Sequence, residues 1–121
     1  MPKSRIARAA TRAAALAAGL AIAGLASVGA ASADGSPYVL IIKDHVFTPA
    51  VIEVPAGQEF EIVIRNQDDT PEEFDSGDLD REKMIPAGAE VTVRVDPLEP
   101  GSYSFMGEYH YETAQGEVVA K

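Results

Sequence analysis

From residue 38 onward, hydrophobic and polar positions in this 121-residue chain fall into short runs with a period of two, separated every eight to twelve positions by turn residues. Phe60, Ile62 and Ile64 share one face of such a run, while Glu59, Glu61 and Arg65 share the other. Val91, Val93 and Val95 alternate in the same way with Glu90, Thr92, Arg94 and Asp96. Each run reads as a strand with one buried and one solvated face, because successive side chains of an extended chain point to opposite sides. Further strands are expected at 38–42, 51–54, 81–85, 102–107 and 116–121, with turns at Pro55-Ala56-Gly57, Pro86-Ala87-Gly88 and Pro97-Leu98-Glu99-Pro100-Gly101. No 3.6-residue period runs long enough for a helix. Residues 66–80, rich in Asn, Asp, Pro and Gly, read as the longest irregular segment, and 108–115 as a polar loop. About seven strands in so short a chain predict an all-β fold, a Greek-key β-sandwich or barrel.

The start of the chain follows another logic. Lys3, Arg5, Arg8 and Arg12 precede an uncharged Ala, Leu, Ile and Gly run that closes on Ala31-Ser32-Ala33. Such a basic, apolar, small-x-small series is the signature of a secretory signal peptide. The expected domains are therefore a leader at 1–33, cleaved near Ala33, and one folded unit at 34–121, exported to the periplasm or beyond. The Arg residues are not paired, which favours the general secretory route over twin-arginine export.

Removing the leader sharpens the charge, since it leaves six Lys and Arg against 19 Asp and Glu, a net charge of −13. That excess disfavours nucleic acid and anionic membranes as partners and favours cations or basic proteins. The chain has no cysteine, which removes disulfides, thiol catalysis, iron–sulfur clusters and thiolate copper. Ser and Thr occur without nucleophile-elbow spacing, and there are only two His, so no hydrolase is expected. No small-molecule substrate is evident.

The order of the remaining motifs is specific. Asp44, Phe47, Pro49, Ile52, Val54 and Ala56-Gly57 are followed by Asn66 and then by Pro97-x-x-Pro100-Gly101-x-Tyr103-x-Phe105. Over residues 36–121 this series resembles the cupredoxin superfamily. The resemblance implies that the blue-copper ligand positions fall on Glu72, Gly107, His110 and near Ala114, of which only His110 keeps a metal-ligating type found there. A blue-copper electron carrier is thereby excluded. The stretches Thr70-Pro71-Glu72-Glu73-Phe74, Arg81-Glu82-Lys83 and Gly107-Glu108-Tyr109-His110-x-Glu112-Thr113-Ala114 are similar to cysteine-free, EfeO-type cupredoxin-like domains of bacterial iron-permease systems. That narrower likeness implies copper or iron binding outside the inner membrane.

Candidate metal ligands are His110, Glu72, Glu73, Glu108, Glu82 and His45. Carboxylate and imidazole donors suit Fe(II), Fe(III), Cu(II), Mn(II) or Zn(II) better than Cu(I). Glu72 and Glu73 are adjacent, so in an extended segment only one points inward, and the sequence leaves the choice open. Glu82 sits between Arg81 and Lys83, where a surface ion pair competes with a ligand role; His45 ends the first strand, where capping or packing competes likewise. Met106 is expected to face solvent and Met84 to fill the core or an edge. The function expected is an exported metal-binding accessory of iron or copper uptake, presenting an ion to an inner-membrane iron permease or partner oxidase. Two rivals stand beside it: a ferrous or cuprous oxidase component, and a metal-free protein-interaction module.

Overall fold

A computed structural model describes residues 35–121; the expected leader and its cleavage point lie outside that range. Among the described residues nine strands form: β1 (Tyr38–Lys43), β2 (Val46–Thr48), β3 (Val51–Val54), β4 (Phe60–Asn66), β5 (Glu72–Ser76), β6 (Arg81–Ile85), β7 (Glu90–Val95), β8 (Gly101–Gly107) and β9 (Gln115–Ala120). They make two sheets, one of five strands in the order β3-β9-β8-β5-β6 and one of four in the order β2-β1-β4-β7. Strands β1 and β4 run parallel, as do β3 and β9, while the other neighbours are antiparallel.

The sandwich is all-β as the alternation predicts, with two strands beyond the expected seven. One is β2, only three residues long, which follows a two-residue hairpin loop whose residues Asp44 and His45 both have positive φ (53° and 61°). The other is β5, inside the segment read as irregular. Its inward residues are Glu72, Phe74 and Ser76, so two of the three are polar and the alternation is hidden.

The core lies between the sheets and holds Leu40, Ile42, Ile62, Ile64, Ile85, Val95 and Val118 among its most buried side chains. Phe47, Phe74 and Phe105 form an aromatic cluster within it, with centroids 5.4 Å apart for Phe47 and Phe105 and 5.1 Å for Phe74 and Phe105. Asn66, buried at the end of β4, ties the approach to β5 in place. Its amide donates to the carbonyls of Thr70 (2.9 Å) and Ile85 (3.1 Å), and its Oδ1 accepts the N–H of Asp68 (2.9 Å). A buried amide satisfied on both sides fixes a loop that has little apolar burial of its own.

Candidate metal centre

Beyond β8 the chain makes one 3-10 turn, Glu108–His110, and closes on itself. Gly107 N–H donates to Ala114 O (2.8 Å), and Ala114 N–H donates to His110 O (2.9 Å). The turn packs against β5, and the parity of β5 sorts the acidic residues there into two groups.

Glu72 points inward and is 1% exposed. Its Oε1 accepts the N–H groups of Tyr109 (2.8 Å) and Glu73 (3.0 Å), and its Oε2 lies 2.7 Å from His110 Nδ1. With the Glu72 carboxylate as acceptor, as it is for the two backbone N–H groups, Nδ1 is the donor of that bond. A Cβ at Gly107 would lie 2.6 Å from Glu72 Cδ and 2.9 Å from Ala114 Cβ. Gly107 has an ordinary extended φ of −94°, so glycine is required there for space and not for conformation.

The ring of His45 stacks on that of His110, with centroids 3.5 Å apart and planes 9° from parallel. Its turn is held from two sides. Asp68 Oδ1 and Oδ2 accept the N–H groups of Asp44 (2.6 Å) and His45 (3.0 Å), and Thr113 Oγ1 donates to His45 O (2.5 Å). Burial pushes the Asp68 carboxyl upward, but these two N–H donors and the nearby His45 and Lys43 hold it below the usual carboxylate range. Left-handed conformations at non-glycine residues cost energy, so anchoring by a carboxylate is what lets this hairpin present an imidazole. His45, His110, Tyr109, Tyr111, Glu112 and Thr113 line an open cleft beside the pair.

Glu73 points the other way, to the outer face of the five-stranded sheet. There the carboxylates of Glu73, Glu82 and Glu108 converge, one oxygen from each lying within 4.8 Å of the others. The three come from β5, β6 and the 3-10 turn, so only the folded chain assembles them. Burial, a hydrogen bond to Glu82 and the negative charges of Glu82, Glu108 and Asp75 raise the Glu73 carboxyl above its usual value. Among the described residues none of the three joins an ion pair: Arg81, expected beside Glu82, instead reaches Asp96 (3.3 Å) and Arg94 O (2.7 Å). Met84, directly opposite Glu73, is 46% exposed and so fills no core; its Sδ accepts from Tyr109 Oη at 3.8 Å. Met106, opposite Asp75, faces solvent as expected.

The six candidate ligands are thus divided, with Glu72, His110 and His45 in one group and Glu73, Glu82 and Glu108 in the other. The four positions to which the resemblance assigns blue-copper ligands do meet in space. Glu72 lies against Gly107, Gly107 against Ala114, and His110 against Glu72. Two of those four, Gly107 and Ala114, have no side-chain donor.

Comparison with known proteins agrees with this architecture. An uncharacterized protein of Rickettsia prowazekii (strain Madrid E) is 42% identical over 80 residues, which cover 66% of this chain and less than two thirds (64%) of that protein. Among solved structures, the metal-binding domain of the Streptococcus pneumoniae D39 Cu(I)-exporting P-type ATPase CopA with Cu(I) matches at a TM-score of 0.66 and 18% identity, over 76% of this chain and 92% of that one. Auracyanin A, a "blue" copper protein from Chloroflexus aurantiacus, matches at 0.62 and 15%, over 71% and 98%. Amicyanin from Paracoccus versutus matches at 0.56 and 17%, over 75% and 85%. At such identities these likenesses establish the fold alone. The cupredoxin-like domain model matches residues 13–120, starting within the segment read as a leader, and the chain belongs to that family.

Proposed function

We propose that the protein is an exported metal-ion carrier that takes up copper or iron as its cargo at Glu73, Glu82 and Glu108 and presents it to a membrane permease or a partner oxidase. The observation that carries this reading is the trio itself: three carboxylates gathered from three elements, none of which joins an ion pair among the described residues. Like charges at such spacing oppose folding, and a bound cation reverses the sign of that term. Oxygen donors suit Cu(II), Fe(II), Fe(III) or Mn(II), and they bind Cu(I) poorly. Copper is supported further by the fold neighbours, whose names describe a metal-binding domain of a Cu(I)-exporting ATPase and a "blue" copper protein. Iron is supported by the resemblance to EfeO-type domains. The exposed thioether of Met84 and ring of Tyr109 lie at the edge of the trio, on a face open to a receiving protein.

The test is calorimetric titration of the purified protein with Cu(II), Zn(II) and Mn(II), and with Fe(II) under anaerobic conditions. Stoichiometric binding tighter than about 1 μM, roughly 8 kcal/mol, is the expected result. Binding that is weak, non-stoichiometric and abolished by salt would be that of a diffuse acidic surface and would sink the reading.

A further inference from the structure

The copper position that the fold implies does not fit the residues found here. Of the four positions, Gly107 and Ala114 contribute no donor, and the space a side chain at 107 would need is taken by the Glu72 carboxylate. Three of the hydrogen bonds that carboxylate can accept are already formed, all within the protein. His110 retains Nε2, which makes no hydrogen bond among the described residues. One imidazole nitrogen is not a metal centre. His45 does not complete one as it stands, because nitrogen lone pairs lie in the ring plane and the two ring planes are nearly parallel. They cannot converge on an ion about 2.0 Å from each nitrogen.

We propose that this chain has closed the fold's metal position from within. The buried Glu72–His110 pair, admitted by Gly107 and bounded by Ala114, stands where an ion would stand and ties together the ends of β5, β8 and the turn that follows. A resident ion in this fold would draw the loops at one end of the sandwich onto common ligands. Glu72 does the same with protons: it gathers two backbone N–H groups and one imidazole N–H from β5 and the 3-10 turn onto a single carboxylate. Such a cluster of donors around a buried carboxylate is a strong internal tie and a poor ligand, since three of its roughly four lone-pair sites are already committed to N–H groups. The corollary, which rests on the function proposed above, is that cation binding has moved one residue along β5, from the inner to the outer face.

Two kinds of measurement on the full chain separate these claims. The first needs no metal. Nitrogen NMR of the metal-free protein should find the His110 ring protonated on Nδ1 and its neighbour Nε2 bare. His110→Ala and Glu72→Gln should each lower Tm by about 8 °C or more, as loss of hydrogen bonds to a buried charged group does in a domain of this size. A ring in mixed tautomers, or a Tm unchanged in both variants, overturns the internal tie whatever the protein binds. The second uses Cu(II). His110→Ala should keep the wild-type affinity within about twofold, Glu73→Gln with Glu108→Gln should lose about 100-fold or more, and the Cu(II) electron paramagnetic spectrum should lack imidazole nitrogen coupling. A tenfold loss in His110→Ala, or nitrogen coupling that disappears with it, overturns the relocation. If the wild type binds no metal, the proposed function fails, and the internal tie still stands or falls on the first measurement.

Discussion

Glu72 and Glu73 are neighbours of the same residue type and have opposite fates. Glu72 is almost fully buried and meets three N–H donors; Glu73 is half-buried and meets two further carboxylates. Strand parity alone divides them, since successive side chains of an extended chain point to opposite faces. The comparison shows that burial by itself does not decide what a carboxylate does. Donors turn one into an internal tie. Like charges gathered on the outer face give the other the property on which the proposed cation site rests, so a substitution on one face should leave the other's property largely intact.

The strongest way to break this division is to neutralise the outer face. Glu73→Gln with Glu108→Gln keeps side-chain volume and removes two of the three charges. Titration calorimetry should show metal affinity falling by about 100-fold or more, roughly 2.7 kcal/mol, with the metal-free protein at least as stable as wild type. If both affinity and folding collapse together, the two faces act as one unit and the comparison fails.

A smaller effect sharpens the inner half. Gly107→Ala places a Cβ 2.6 Å from Glu72 Cδ, closer than real atoms approach, so the carboxylate must shift. Overpacking of this kind costs about 1–3 kcal/mol, and thermal melting should show the corresponding fall in Tm. In a double-mutant cycle, Glu72→Ala should relieve part of the cost, though not all, because Ala114 Cβ is also only 2.9 Å away. Strict additivity of the two changes would mean that Gly107 does not make room for Glu72.

These relations differ in how much of them the sequence discloses. Strands β4 and β7 are plain in it because an apolar face at Phe60, Ile62 and Ile64, or at Val91, Val93 and Val95, alternates with residues that are polar or charged apart from Val63, the pattern that a half-buried strand imposes. Strand β5 is concealed, since Glu72 and Ser76 stand where an apolar residue would announce an inward position. Parity was therefore not available to choose between Glu72 and Glu73, and the six acidic and imidazole candidates read as one set. The ion pair weighed for Glu82 does not form for a different reason: adjacent residues on a strand project to opposite sides, so Arg81 and Lys83 face away from it, and Arg81 reaches Asp96. Gly107 was legible only as a glycine ending the 102–107 strand where the resemblance puts a copper ligand, with no sign of the side chain it makes room for, and Asp68 only as one aspartate in a polar segment.

Asp68 offers a further, milder test of the closed side. Asp68→Ala leaves the N–H groups of Asp44 and His45 without their acceptor and removes the anchor of two left-handed residues. A loss of about 1–2 kcal/mol is expected, comparable to removing a helix cap that serves the same kind of donor. Because its carboxyl is held below the usual range, the contribution of Asp68 is present above its unfolded value and is lost as pH falls through the lower folded value. The variant should therefore differ from wild type at neutral pH and approach it in acid, as followed by Tm against pH. An unchanged gap down to strongly acidic pH would assign the loss to something other than the carboxylate.

The smallest effect expected has the opposite sign and belongs to the open side. Glu73 is raised, first by burial and then by Glu82, so the folded protein holds that proton more tightly than the unfolded chain does. Stability from this group is then greatest below the unfolded carboxylate value and declines as pH rises through the folded one. Glu73→Gln should remove that decline: metal-free wild type and variant should melt alike in acid, with the variant more stable at neutral pH. Adding a saturating divalent cation should cancel the wild type's deficit, because the ion binds the ionised trio in the folded state only. A deficit that persists with the cation present would mean that the charge is not where the ion sits. If no deficit appears in the metal-free protein, Glu73 is already balanced, and its difference from Glu72 is one of exposure alone.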